Sequence, residues 1–310
     1  MDNQSLETVY TQEEISNEDY KHKKNLERCK NKSVHSKQFS VEHFKVEKLP
    51  EAFRESPLGD LVTRMTKLTV RLHYSFQEKG KQKFCLGSGF VQRVIQESGS
   101  LCPCQKCIDS SAGQRETTWF KLMISSASCV FSRFDSNAKK YATADIEFRG
   151  YEEIKRKVSI FKVECDTSVS EESDWCVCFG ASHDQELCFK LMGYLDEFEA
   201  SQKNLYQWHR QNENAKNLKL MIIVGYPNGG PMKISVVESY QREHIKDVGN
   251  GQSICRYIYG AVTCPGSSGS PLYICGQPIG GFGYWFGHPH CHARGSTEKG
   301  FSCTGTECGY

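Results

Sequence analysis

The sequence predicts an all-β chain: two antiparallel β-barrels joined by a short helical connector and preceded by a disordered, charged N-terminal tail. Three observations carry this expectation. From Leu58 onward, short apolar runs rich in β-branched and aromatic residues follow one another, bounded by Gly, Asn, Asp, Ser and charged clusters, the pattern of strands and turns. One stretch, 184–217, breaks that texture with apolar residues at helical spacing amid charge. Residues 1–57 are polar and charged with few apolar positions in register, too little to bury a core.

The elements follow in order. The tail spans 1–57 and includes a basic run, Lys21 to Lys32, which reads as a solvated face rather than a nucleic-acid patch. The first barrel, 58–183, takes LTVRLHYSF (68–76), CLGSGFVQRV (85–94), WFKLMISSASCVF (119–131), ADIEF (144–148), KVSIFKVE (157–164) and DWCVCF (174–179) as strands. In the connector, 184–217, Leu191, Leu195 and Phe198 recur at the period of a helix. The second barrel, 218–310, takes LKLMIIVGYP (218–227), KISVVESY (233–240), ICRYIYG (254–260), PLYICG (271–276) and PIGGFGYWF (278–286).

Composition narrows the function classes. The chain has 310 residues and a formal net charge of +2, so no global field draws it to nucleic acid or anionic lipid. It begins without a basic, apolar leader and has no apolar run long enough to span a bilayer. The expectation is an intracellular protein, cytoplasmic or nuclear, with no membrane partner. Its 16 cysteines are then reduced: core thiols, metal ligands or reactive groups.

The segment TCPGSSGSPLY, Thr263 to Tyr273, carries the chemistry. Glycines on both sides of a serine permit a turn in unusual backbone conformations. Such a turn lifts the hydroxyl outward and gathers successive N–H groups around one small space, the arrangement that stabilises an oxyanion. GSSGSPLY resembles the nucleophile segment of trypsin-like serine peptidases. PLYICGQPIGGFGYW resembles the strands that follow it, IIVGYPNGGPMKISVV (222–237) the start of the second barrel, and CLGSGFV (85–91) an early strand of the first.

The resemblance covers residues 60–310 and implies two six-stranded antiparallel barrels with a site between them. It implies Ser268 as nucleophile, the N–H groups of Gly266 and Ser268 as oxyanion hole, and Asp174, opening a strand, as the acid. Val262 falls on the wall of the substrate pocket. The family's histidine belongs in a segment of the form I-T-A-A-H-V-V-F. Here the matching residues, Ile124 to Phe131, place Ser128 at that position. Serine cannot act as a base near pH 7. Neighbouring Cys129, one residue on in the strand, is expected on the opposite face. Other imidazoles are His73, His183, His209, His244, His288, His290 and His292; of these His288, His290 and His292 follow the nucleophile strands and are the candidates to fold toward the cleft as a substitute base, while His183 and His244 read as surface residues.

The reading is therefore a trypsin-like fold impaired in hydrolysis, binding a peptide or protein in its cleft. One alternative is an active serine endopeptidase using Ser268 and Asp174 with a base from elsewhere. Another is a scaffold recruiting partners through the basic tail. The resemblance implies no cofactor. Cys102, Cys104 and Cys107 (C-x-C-x-x-C) make structural zinc an option beside free loop thiols, lacking a named fourth ligand. His288, His290, Cys291 and His292, with Cys303 and Cys308, offer a second such option.

Overall fold

The computed structural model describes residues 9–11, 38–110, 116–135, 138, 142–148, 156–165, 174–249, 252–260, 264–276, 289–291 and 301–308. Helix α1, Leu58–Leu68, is opened by Ser56, whose Oγ accepts from the Leu58 N–H at 3.2 Å. Its buried Leu58, Leu61, Val62, Met65 and Leu68 recur every three or four residues, which puts them on one face. That face packs on helix α3, Gln185–Gln211. There Asp184 Oδ1 accepts from the Leu187 N–H at 2.9 Å and caps the first turn. A one-turn helix, α4 (Glu213–Lys216), follows it; another, α2 (Gln105–Ile108), lies far upstream.

The first half is built around one antiparallel sheet. Strand β1 is Val9–Thr11, β3 is Thr69–Glu78, β4 is Lys81–Ser98, β5 is Thr118–Ala127, β6 is Thr143–Ile146, β7 is Arg156–Cys165 and β8 is Trp175–Ser182. Their order is β1-β4-β3-β6-β7-β8-β5, and β5 pairs back onto β4, so six strands close a ring. The 18-residue β4 makes closure possible. Its first part pairs with β3, its last part with β5, and a register shift between Val91 and Arg93 bends it between the two.

The second half holds two sheets. β13 (Leu272–Ile274), β9 (Met221–Gly225), β10 (Lys233–Val237) and β2 (Gln38–Ser40) form one; β11 (Tyr240–Gly249), β12 (Gln252–Tyr259) and β14 (Phe301–Cys308) form the other. Side chains of β9 alternate between two cores. Ile222 and Val224 join the large core of the ring and helices. Met221 and Ile223 pack with Cys255, Tyr257, Tyr259, Leu272 and Ile274 in a smaller core toward the second sheet. That is why MIIVG is apolar at every position rather than at every second one.

The structure is thus mostly β-sheet, with helices in the connector and at α1. Among the described residues the second half does not close a second ring; the segment expected as a strand at 278–286 lies outside them. The charged tail ends earlier than its composition indicates. Gln38–Ser40 pairs with β10, and Leu49 and Phe53 are buried. Phe53 lies against Trp208 of α3, ring centroids 5.6 Å apart. No helix of the described residues is long and apolar enough to cross a membrane.

One buried ion pair binds the halves. Arg71 on β3 donates from Nε and Nη2 to Asp145 Oδ2 at 2.9 and 2.7 Å, and from Nη1 to the Gly229 carbonyl at 2.9 Å. Its guanidinium lies 3.8 Å above the Phe148 ring. The charge is buried, paired and stacked, the conditions under which a buried charge is tolerated.

Candidate active site

The pairing of β5 with β8 sets one side of the site. Ala127 lies opposite Trp175, so the next residue of one strand meets the preceding residue of the other. The Ser128 N–H donates to the Asp174 carbonyl at 2.7 Å, and the Ser128 hydroxyl donates to Asp174 Oδ1. The Cys129 N–H donates to the same oxygen at 3.1 Å. Asp174 is only 2% exposed, so these donors replace the water it has lost.

The other side is the turn 264–270. Gly266 and Gly269 have φ of +91° and +84°, a region closed to most side chains. A Cβ on Gly269 would overlap Ser88 O and Ser126 Oγ and lie 3.1 Å from the Ala127 nitrogen. This close approach brings the Ser268 turn against the end of β5, beside Ser128. Ser88 fastens it further. Its N–H donates to the Ser268 carbonyl at 2.8 Å, its Oγ donates to the Gly266 carbonyl at 2.9 Å, and that Oγ accepts from the Tyr226 N–H at 3.0 Å. Ser126 Oγ donates to the Ser88 carbonyl at 2.8 Å. CLGSGFV is therefore more than an early strand. Its serine is the clasp between the halves, a role that only the fold reveals.

The Ser268 side chain is 1% exposed, and its Oγ has no hydrogen-bond partner among the described residues. Among the described residues no backbone carbonyl accepts from the N–H of Gly266 or Ser268, and both residues are buried. Three of the described imidazoles have partners away from the Ser268 turn. His73 stacks on Phe84, His209 is buried beside Phe53, and His244 bonds Asp247. The backbone of His290 runs along the Ser268 turn, its carbonyl accepting from the Gly269 N–H and its N–H donating to the Ser270 carbonyl, while its ring Nδ1 lies 2.6 Å from the Tyr259 hydroxyl. His288, His292 and Val262 lie outside the described residues.

Cys129 departs from its expected place. Ser128–Phe131 is a 3-10 turn, not a continuation of the strand, so facing does not alternate there. Cys129 Sγ lies within 4.8 Å of the Asp174 carboxylate and 3.4 Å from Cys291 Sγ. Nearby, Cys165 faces Cys176 across β7 and β8. The Cys176 thiol donates to Cys165 and lowers it to about 7, while burial pushes Cys176 well up.

His183 is exposed, as expected, and it also meets the C-x-C-x-x-C run. Its Nε2 lies 3.2, 3.5 and 3.4 Å from Sγ of Cys102, Cys104 and Cys107. A cavity of about 180 Å³, lined by Val62, Phe148, Met232 and neighbours, includes none of Ser128, Asp174 or Ser268.

No family model and no curated protein matches the chain. Among solved structures it is similar to the Rv3671c protease from M. tuberculosis in its active form, at 12% identity over 80% of this chain and 78% of that one, with a TM-score of 0.38. It is similar to Deg5 at 13% identity over 82% and 90%, with a TM-score of 0.40.

Proposed function

We propose that the chain is a trypsin-like serine-peptidase-fold protein impaired in hydrolysis, which holds a peptide or protein segment where the Ser268 turn meets the Ser128–Asp174 pair. The observation that supports this reading is the hydrogen bond from Ser128 Oγ to Asp174, made by the residue that the family resemblance puts at the histidine position.

In a working triad the imidazole takes the proton from the attacking hydroxyl and later returns it to the leaving amine. A serine hydroxyl does neither near neutral pH. Ser268 stays protonated and is a weak nucleophile. The Gly266 and Ser268 amides still offer two donors to a peptide carbonyl. The balance favours binding over turnover, with loss of several orders of magnitude in rate relative to a complete triad.

A fluorophosphonate probe tests the impairment on the full chain. The expected result is no labelling at Ser268, and labelling gained in Ser128→His. Rapid stoichiometric labelling of the unaltered chain at Ser268 overturns the reading and restores the active-peptidase alternative. Binding is tested with photo-crosslinking peptides selected for capture by the chain. Crosslinks at 126–129 and 264–270 are expected; crosslinks confined to residues 1–57 favour a tail-based scaffold instead.

A further inference from the structure

We propose that Cys102, Cys104, Cys107 and His183 form a structural zinc site of three thiolates and one imidazole. The C-x-C-x-x-C run sits on the connection between β4 and β5. His183 follows β8, which pairs with β5, so the fold delivers the fourth ligand from far along the chain.

The geometry fits the metal. Tetrahedral zinc with Zn–S near 2.3 Å and Zn–N near 2.0–2.1 Å separates sulfur from nitrogen by about 3.5 Å. The three Sγ–Nε2 distances are 3.2, 3.5 and 3.4 Å, and all four ligand atoms lie within 4.8 Å of one another. Soft thiolates with one imidazole select zinc over magnesium or calcium. A disulfide would use two of the three thiols and leave the convergent imidazole unexplained.

The surroundings support the ligands. The Cys104 N–H points at Cys102 Sγ and the Cys107 N–H at Cys104 Sγ, both at 3.4 Å, contacts that favour sulfur carrying negative charge. The thiols are 0, 3 and 8% exposed, backed by Trp119, Ala181 and Phe161, while His183 stands at the open rim. Cys102 N–H donates to the Glu116 carbonyl at 2.8 Å and Trp119 Nε1 donates to the Ser100 carbonyl at 3.1 Å, so the loop is braced. Four protein ligands leave no open position, which makes the site structural rather than catalytic.

The test uses the full chain. Purified with zinc present, it is expected to carry one equivalent of zinc, lost in Cys104→Ser and in His183→Ala and kept in Cys291→Ser. Exchange for Co²⁺ should give the intense visible bands of a tetrahedral thiolate site, a readout on the unaltered chain that stands if a variant fails to fold. A zinc-exposed chain carrying none, or a Co²⁺ form without sulfur charge-transfer absorption, overturns the proposal. Zinc lost in Cys291→Ser but kept in Cys104→Ser moves the metal to the Cys129, Asp174 and Cys291 group and overturns it equally.

Discussion

The β5–β8 pair ends in two chemically different clusters. At one end, past Phe120 and Ser182, lie three buried thiols and an imidazole; at the other, past Ala127 and Trp175, lie Ser128, Asp174 and Cys129. Seven residues of strand put the ends roughly 25 Å apart. The sulfur end has four ligand atoms converging on one point. Among the described residues the acid end offers Cys129, Asp174 and Cys291 alone, and one carboxylate oxygen there already accepts from Ser128 and Cys129. The two ends differ in their donors: four converging ligand atoms at one, a carboxylate held by a hydroxyl and an amide at the other. The acid end also depends on a second piece of chain, the Ser268 turn, which the sulfur end does not need.

That dependence gives the largest expected effect. Arg71→Ala removes the buried cation that ties Asp145 on β6 to the Gly229 carbonyl, leaving the buried carboxylate with Lys157 Nζ at 4.0 Å and without the two hydrogen bonds from Arg71. The loss should be about 3–5 kcal/mol in denaturant unfolding. Hydrogen exchange should rise first at 264–270, with the thiols of Cys102, Cys104 and Cys107 still protected from alkylation. If both clusters open together, the comparison breaks.

A smaller effect isolates the clasp. Gly269→Ala places a Cβ against Ser88 O and Ser126 Oγ at a φ of +84°, so the turn must shift. The cost should be about 2 kcal/mol, read as a lower denaturant midpoint with an unchanged slope. A neutral result would mean that the Ser268 turn does not rest on β5 as described.

These residues also mark what could be read from the chain beforehand. The strands of the first half announce themselves through β-branched and aromatic runs, and the helix of 185–211 through Leu191, Leu195 and Phe198, because burial of one face imposes a period. The Ser268 turn is visible in GSSGSP because close approach demands glycine. His183 is invisible, since nothing local distinguishes it; only the β5–β8 register delivers it to the cysteines. Ser88 is hidden for the same reason, its partners lying at 226, 266 and 268. Strand β2 is hidden because three residues of edge pairing leave no period in a charged tail.

The smallest effect separates the thiols of the two ends by reactivity. Cys165 is exposed and accepts from Cys176, which lowers it from 9.0 to about 7. Its thiolate is thus half formed near pH 7, so its alkylation should rise about tenfold per pH unit below that and level off above it. Cys176→Ala removes the donor and lets Cys165 return toward its usual value. Thiolate at pH 6 then falls about a hundredfold, but the more basic sulfur is intrinsically about tenfold more nucleophilic, so the net slowing is about tenfold. Mass-spectrometric alkylation rates check this. Among the described cysteines Cys165 should react first, and Cys102, Cys104 and Cys107, held by the proposed zinc, should lag at every pH. Equal rates would erase the distinction between an acid end with a poised thiol and a sulfur end closed around a metal.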